Sequence, residues 1–129
     1  MSVLEPAVRR ALDATPIAHL ATVLPDGAPH VTPVFVGTDG EHVVVFTGPT
    51  SRKARNLRRD ARVALSVAPA DDAFTPVAVR GRVVEWLEGE AAWELVDRIA
   101  IAYTGQPYDR RLTRIVALIQ VEHQAVGIG

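Results

Sequence analysis

Apolar and polar positions along this chain change period several times, and each change marks an element. Val8, Ala11 and Leu12 recur at helical spacing with Pro6 in the first turn, which predicts a short helix over Leu4–Ala14, ended by Thr15 and Pro16. Ile17–Leu24 is rich in strand-forming residues, Pro25–Pro29 is turn chemistry, and His30–Val36 resumes an extended pattern. These runs predict a hairpin. Pro33 lies inside its second strand, where the missing amide must face an edge, a bulge or a ligand. Gly37–Gly40 predicts the next turn and His42–Thr47 a third strand.

After a break at Thr47-Gly48-Pro49-Thr50, a helix starts at Ser51 with Ala54, Leu57 and Ala61 turned inward. Arg62–Ala68 predicts a fourth strand, Pro69–Pro76 a loop, and Val77–Trp86 a fifth strand whose imperfect alternation leaves its core face unassigned. Glu88–Tyr103 is the most periodic helix, with Trp93, Val96, Ile99, Ala100 and Tyr103 on one face and Gly105-Gln106-Pro107 stopping it. Arg114–Val121 predicts a sixth strand and Gln124–Ile128 a short seventh. Turns of hairpin type join most of these strands. A mainly β fold follows, in which six to seven mostly antiparallel strands close into a barrel decorated by helices.

Chain length adds that residues 1–129 form one domain, able to bury a core at 48% hydrophobic composition but too short for separate cofactor and substrate domains. The net charge of -1 gives no reason to expect nucleic acid or an anionic membrane as partner. No cysteine is present, which excludes disulfides, thiolate metal sites and cysteine nucleophiles. Without an apolar leader pattern at Met1–Arg10 or an 18-residue apolar run, the expected location is the cytoplasm.

Positive charge is nonetheless concentrated. Of 14 basic residues, Arg52, Lys53, Arg55, Arg58 and Arg59 fall within eight consecutive positions, and Lys53 is the only lysine. They follow a strand-turn junction at which Ser51 is a good N-cap, so the first helical amides and their adjacent cations favour a phosphate or carboxylate. The same residues also fit the solvated face of an amphipathic helix. The cap and the turn favour the anion site.

Other candidates carry less. His19, His30, His42 and His123 are scattered without metal-ligand spacing, so no metal is expected. A haem would need an axial ligand, for which a histidine such as His123 could serve. Asp71 and Asp72 read as solvated loop charge, and Tyr108 either covers a pocket or lies on the surface. A nucleic-acid contact through Arg52–Arg59 lacks interleaved aromatics.

Pro29-His30-Val31-Thr32-Pro33-Val34-Phe35, Phe46-Thr47, Ser51-Arg52-Lys53, Asn56-Leu57 and Asp60–Leu65, in this order of elements, resemble the pyridoxamine 5'-phosphate oxidase-like split barrels, a family of flavin and deazaflavin oxidoreductases. The resemblance spans nearly the whole chain. It implies a split β-barrel of the FMN-binding type and a homodimer with cofactor in a groove at the subunit interface. It also implies that Ser51, Arg52 and Lys53 hold the cofactor phosphate, that Thr47 sits beside the ribityl chain, and that Thr32, Pro33 and Val34 lie against the ring.

Departures from the family narrow the activity. The arginine and lysine that true pyridoxamine-phosphate oxidases carry on the His30–Phe35 strand are missing, as is their C-terminal tryptophan- and arginine-bearing segment. Lys53-Ala54-Arg55-Asn56-Leu57 is more similar to the branch using coenzyme F420, which implies that Arg55 and Asn56 meet its acidic tail. The expected protein is an oxidoreductase passing hydride from bound deazaflavin to a small conjugated or heteroaromatic substrate. No residue need be catalytic, because the cofactor carries the chemistry. An FMN flavoprotein on the same scaffold and a cofactor carrier without turnover are the alternatives.

Overall fold

The structure, a computed structural model, describes residues 3–128; Met1, Ser2 and Gly129 lie outside the described residues. The elements are α1 (Pro6–Asp13), β1 (Ala18–Val23), β2 (Pro29–Val34), β3 (Gly37–Asp39), β4 (His42–Thr47), α2 (Arg52–Arg59), β5 (Arg62–Val67), β6 (Val77–Leu87), α3 (Gly89–Thr104) and β7 (Ile115–Val126). All strand pairs are antiparallel, in the order β2-β1-β5-β6-β7-β4-β3.

That order forces closure. Strands β2 and β3 are the two edges of the sheet, yet only Phe35 and Val36 separate them along the chain. Three residue steps span at most about 11 Å, so the edges come together and the sheet rolls into a barrel. Because β2 and β3 do not pair with each other, the barrel is split along that seam.

The apolar runs follow from this shape. Val43, Val45, Ala117, Ile119 and Val121 face the interior with Leu20, Val63, Leu65, Val67, Val77 and Val79, while Leu4, Val8 and Leu12 of the α1 region join them. Val44, Val116 and Leu118 point the other way, under Ala92, Leu95, Val96 and Ile99 of α3. Strands β4 and β7 are thus covered on both faces and read as continuous apolar runs, whereas β1, β5 and the first half of β6 alternate. The alternation puts Val77, Val79 and Gly81 inside.

Two expectations are corrected. Gly37–Asp39 is a short strand rather than part of a turn, paired with His42–Val44 around a turn at Gly40 and Glu41. Gly40 takes φ 59°, which tightens that reversal enough for the residues before it to join the ladder. The two expected C-terminal strands are one, Ile115–Val126. Arg80 pairs with His123 and Gly81 with Val121, so Glu122 is the extra residue of a bulge. The exposed Glu122-His123 pair that looks like a break in the sequence is that bulge.

Helix α3 also fastens the seam. Val36 N donates to the Tyr103 hydroxyl at 3.1 Å, the hydroxyl donates to the Pro16 carbonyl, and Phe35 stacks on the Tyr103 ring at 4.1 Å. Burial raises the Tyr103 phenol above its ordinary pKa, against an opposing pull from the Val36 backbone. Among the described residues no helix is long and apolar enough to cross a membrane.

Candidate cofactor site at the barrel seam

Short β3 leaves an opening. It pairs with β4 only as far as Val44, so Val45, Phe46 and Thr47 have β7 on one side and no strand on the other. Edge strand β2 has β1 as its one neighbour, which is why Pro29 and Pro33 are tolerated there. A cavity of about 420 Å³ lies against these incompletely paired strands, lined by Ile17, Pro33, Val34, Phe35, Phe46 and Thr47 together with Gly48, Lys53, Tyr108 and Arg114.

The polar end is built by the turn into α2. Ser51 caps the helix, its hydroxyl oxygen accepting from Ala54 N at 3.0 Å and from the Thr47 hydroxyl at 2.8 Å. This cap fixes the end of β4 against the first turn of α2, and so sets where Lys53 stands. The amides of Arg52 and Lys53 precede the first capped donor and have no protein acceptor among the described residues. Arg52, Lys53 and Arg55 form no ion pair among those residues. No carboxylate lines the cavity, whereas Lys53 and Arg114 both do. An uncompensated positive charge beside unpaired amides suits an anionic group.

The remaining basic residues of α2 are occupied elsewhere. Arg58 lies 4.7 Å over the Trp86 ring and 3.9 Å from Glu88, and Arg59 donates to the Val23 carbonyl. Their part of the cluster is helix surface. Where α2 ends, the Arg62 guanidinium bonded to Asp60 lowers that carboxyl to about 2.

The expected site residues are therefore sorted. Pro33, Val34, Thr47 and Lys53 line the cavity; Ser51 and Arg52 do not, Ser51 being the cap and Arg52 the first residue of the helix that carries Lys53. Thr32 does not line it, and its hydroxyl oxygen is buried without a partner. Arg55 is exposed beyond the cavity lining. Asn56 is corrected: it is 0% exposed, and its Nδ2 donates to Thr22 Oγ1 at 3.0 Å, so it has no surface to offer an acidic tail. Asn56 lies three residues from Lys53 and so near the same side of α2, but it packs inward with Ala54 and Leu57 and is held there by Thr22 of β1.

Ile17, Phe35, Phe46, Gly48 and Arg114 were not legible as site residues. Phe46 and Ile17 read as ends of apolar runs, and Arg114 stands in no motif. Tyr108 does cover a pocket: its ring meets Phe46 edge-on at 5.2 Å. Asp97 of α3 anchors this segment by accepting from Tyr108 N at 3.1 Å and from Arg110 at 2.6 Å. A helix-surface aspartate thus positions the wall of the cavity.

An antiparallel barrel split between β2 and β3, with a cation-lined cavity at the split, defines a flavin-type split barrel. The chain belongs to the pyridoxamine 5'-phosphate oxidase family, whose pattern matches residues 4–124. This is a flavin-type oxidoreductase family. No curated protein matches the chain. Among solved structures, one named F420 reductase is similar over 95% of this chain and 98% of its own, at 26% identity and TM-score 0.79. A conserved hypothetical protein from Mycobacterium tuberculosis is similar over 97% of this chain and 85% of its own, at 26% identity and TM-score 0.75. An FAD- and heme-binding protein from Mycobacterium smegmatis shares the fold, with TM-score 0.75 and 18% identity over 99% of this chain and 72% of its own.

Proposed function

We propose that this protein is a cytoplasmic oxidoreductase that binds coenzyme F420 at the barrel seam and serves hydride transfer to a small conjugated or heteroaromatic substrate. The observation that carries the reading is Lys53, without an ion-pair partner among the described residues and lining a cavity whose other end is apolar. The likeness to the F420 reductase over nearly the full length of both chains supports the deazaflavin over other flavins. When bound, the coenzyme supplies two-electron hydride chemistry.

The chain's own residues bind and orient. Lys53 and the amides of Arg52 and Lys53 hold the phosphate, with Ser51 and Thr47 fixing their turn. Ile17, Pro33 and Val34 offer the ring an apolar surface and keep water from it. The second reading is FMN at the same residues, since a phosphate on a flat ring system meets the same two ends of the cavity.

The working form in this proposal is a homodimer with the cofactor at the interface. Supporting it, the outer face of β1, β5 and β6 with the end of β7 is not under α3. That face carries a shallow cavity of about 470 Å³, lined by Ala21, Ala64, Ser66, Ala78 and Ala125 and bordered by His19, Arg80 and His123. Small side chains on a broad sheet face suit close approach of a second copy.

The test is paired fluorescence titration of cofactor-free protein with coenzyme F420 and FMN. Tighter binding of F420 is expected, followed by substrate-dependent reoxidation of the reduced coenzyme. Tighter binding of FMN favours the second reading, and binding of neither overturns both.

A further inference from the structure

Arg114 is the second cation of the seam cavity, and it comes from a separate element, the segment just before β7. Its Nε and Nη2 donate to the Tyr108 hydroxyl at 3.2 and 3.1 Å, and its Nη1 donates to the Thr113 carbonyl at 2.8 Å. The guanidinium also lies 5.2 Å from the Tyr108 ring centroid. Neutral oxygens alone accept from it. Among the described residues no carboxylate pairs with Arg114, and its remaining N–H donors have no partner.

The guanidinium is held rather than free to swing away. Asp97 bonds Tyr108 N, which fixes the loop carrying Tyr108, and the Tyr108 hydroxyl fixes Arg114. Arg114 also stands beside the β4–α2 turn. A Cβ built on Gly48 would lie 3.3 Å from Arg114 Nη1, so the missing side chain there lets the guanidinium close on the backbone between Thr47 and Ser51. That is the phosphate end of the cavity, away from Pro33 and Val34.

We propose that Arg114 binds the phosphate of the cofactor jointly with Lys53, so that the site is a clamp of two cations from separate elements. The proposal rests on the phosphate reading given above. A fixed guanidinium brings geometric selectivity for phosphate oxygens that a flexible ammonium lacks. The Tyr108 hydroxyl and Asp97 are positioning groups that act through Arg114.

The experiment titrates wild type, Arg114→Gln and Arg114→Lys with coenzyme F420, with FMN, and with riboflavin and the phosphate-free deazaflavin chromophore, at two salt concentrations. Thermal unfolding of each variant is recorded on the same samples. Arg114→Gln should weaken the phosphorylated ligand that wild type binds by about tenfold or more and flatten its salt dependence. It should leave the phosphate-free ligand unchanged, and Arg114→Lys should recover part of the loss.

Equal loss for phosphorylated and phosphate-free ligands would place Arg114 at the ring and overturn the proposal. Unchanged affinity throughout would overturn it as well, leaving the phosphate reading at Lys53 intact. Should wild type bind none of these ligands, the phosphate reading fails and the clamp falls with it. If Arg114→Gln lowers the unfolding temperature, Arg114→Lys decides: a charge without the fork that restores stability fully but affinity only in part supports the clamp, and one restoring both equally contradicts its geometric part.

Discussion

Asn56 and Thr22 meet inside the fold, the amide of one donating to the hydroxyl of the other at 3.0 Å with 0% and 2% of the residues exposed. The bond ties α2, which presents Lys53, to β1, the neighbour of edge strand β2. His30 stands opposite Thr22 in the β1–β2 ladder, so the polar contact also abuts the strand that lines the cavity.

Replacing Asn56 with alanine should destabilise the protein by about 1–3 kcal/mol, because the Thr22 hydroxyl loses its donor without gaining water. Asn56→Leu combined with Thr22→Val should cost less than the sum of the single changes, since both partners then become apolar. Urea unfolding of wild type, Asn56→Ala, the two single changes of the cycle and the double variant measures this. Additive costs, or a cofactor-tail preference that shifts while stability stays unchanged, would return Asn56 to the site.

Gly81 is fixed by close approach. A Cβ there would lie 1.9 Å from the Gln120 carbonyl oxygen, at the bulge where β6 crosses β7. Gly81→Ala should destabilise by more than about 3 kcal/mol, measured as a shift in the denaturation midpoint. A near-wild-type midpoint would mean that β7 does not carry its extra residue at Glu122.

Ile17 is 51% exposed and lines the apolar end of the cavity. Ile17→Asp should leave folding within about 0.5 kcal/mol yet weaken ring binding about tenfold or more, because a charge would lie against an apolar ring face. The readout is affinity for phosphate-free riboflavin or deazaflavin chromophore. Val34 cannot serve as this probe, since it is only 9% exposed and packs with the barrel core. Unchanged affinity in Ile17→Asp would move the ring away from the β2 end.

Most of the fold was legible because its elements have separable periods. Ser51 was identifiable as a cap from its chemistry alone and stands there, and Pro33, for which an edge, a bulge or a ligand was open, lies on an edge strand. Strand β3 was hidden because three residues are too few for a period and Gly37 and Gly40 look like turn. Strand β7 looked broken because a bulge places two polar residues on an otherwise apolar run. At the site, local sequence identified the turn that bears Lys53. It offered Tyr108 as a pocket cover but could not identify Arg114 or Ile17, and all three reach the cavity through the rolling of the sheet and, for Tyr108, the Asp97 anchor. The place of Asn56 was not legible for a related reason, since it lies near Lys53 on α2 and only the packing of the helix on β1, through Thr22, buries it.

The central claim is that Lys53 holds the cofactor phosphate, and its most direct test is the affinity of Lys53→Ala for the cofactor, with unfolding followed on the same sample. Lys53 pairs with no carboxylate among the described residues, so removing its ammonium breaks no ion pair there. The account predicts an affinity lower by about tenfold or more with an unchanged unfolding midpoint. Unchanged affinity in a folded variant would contradict it.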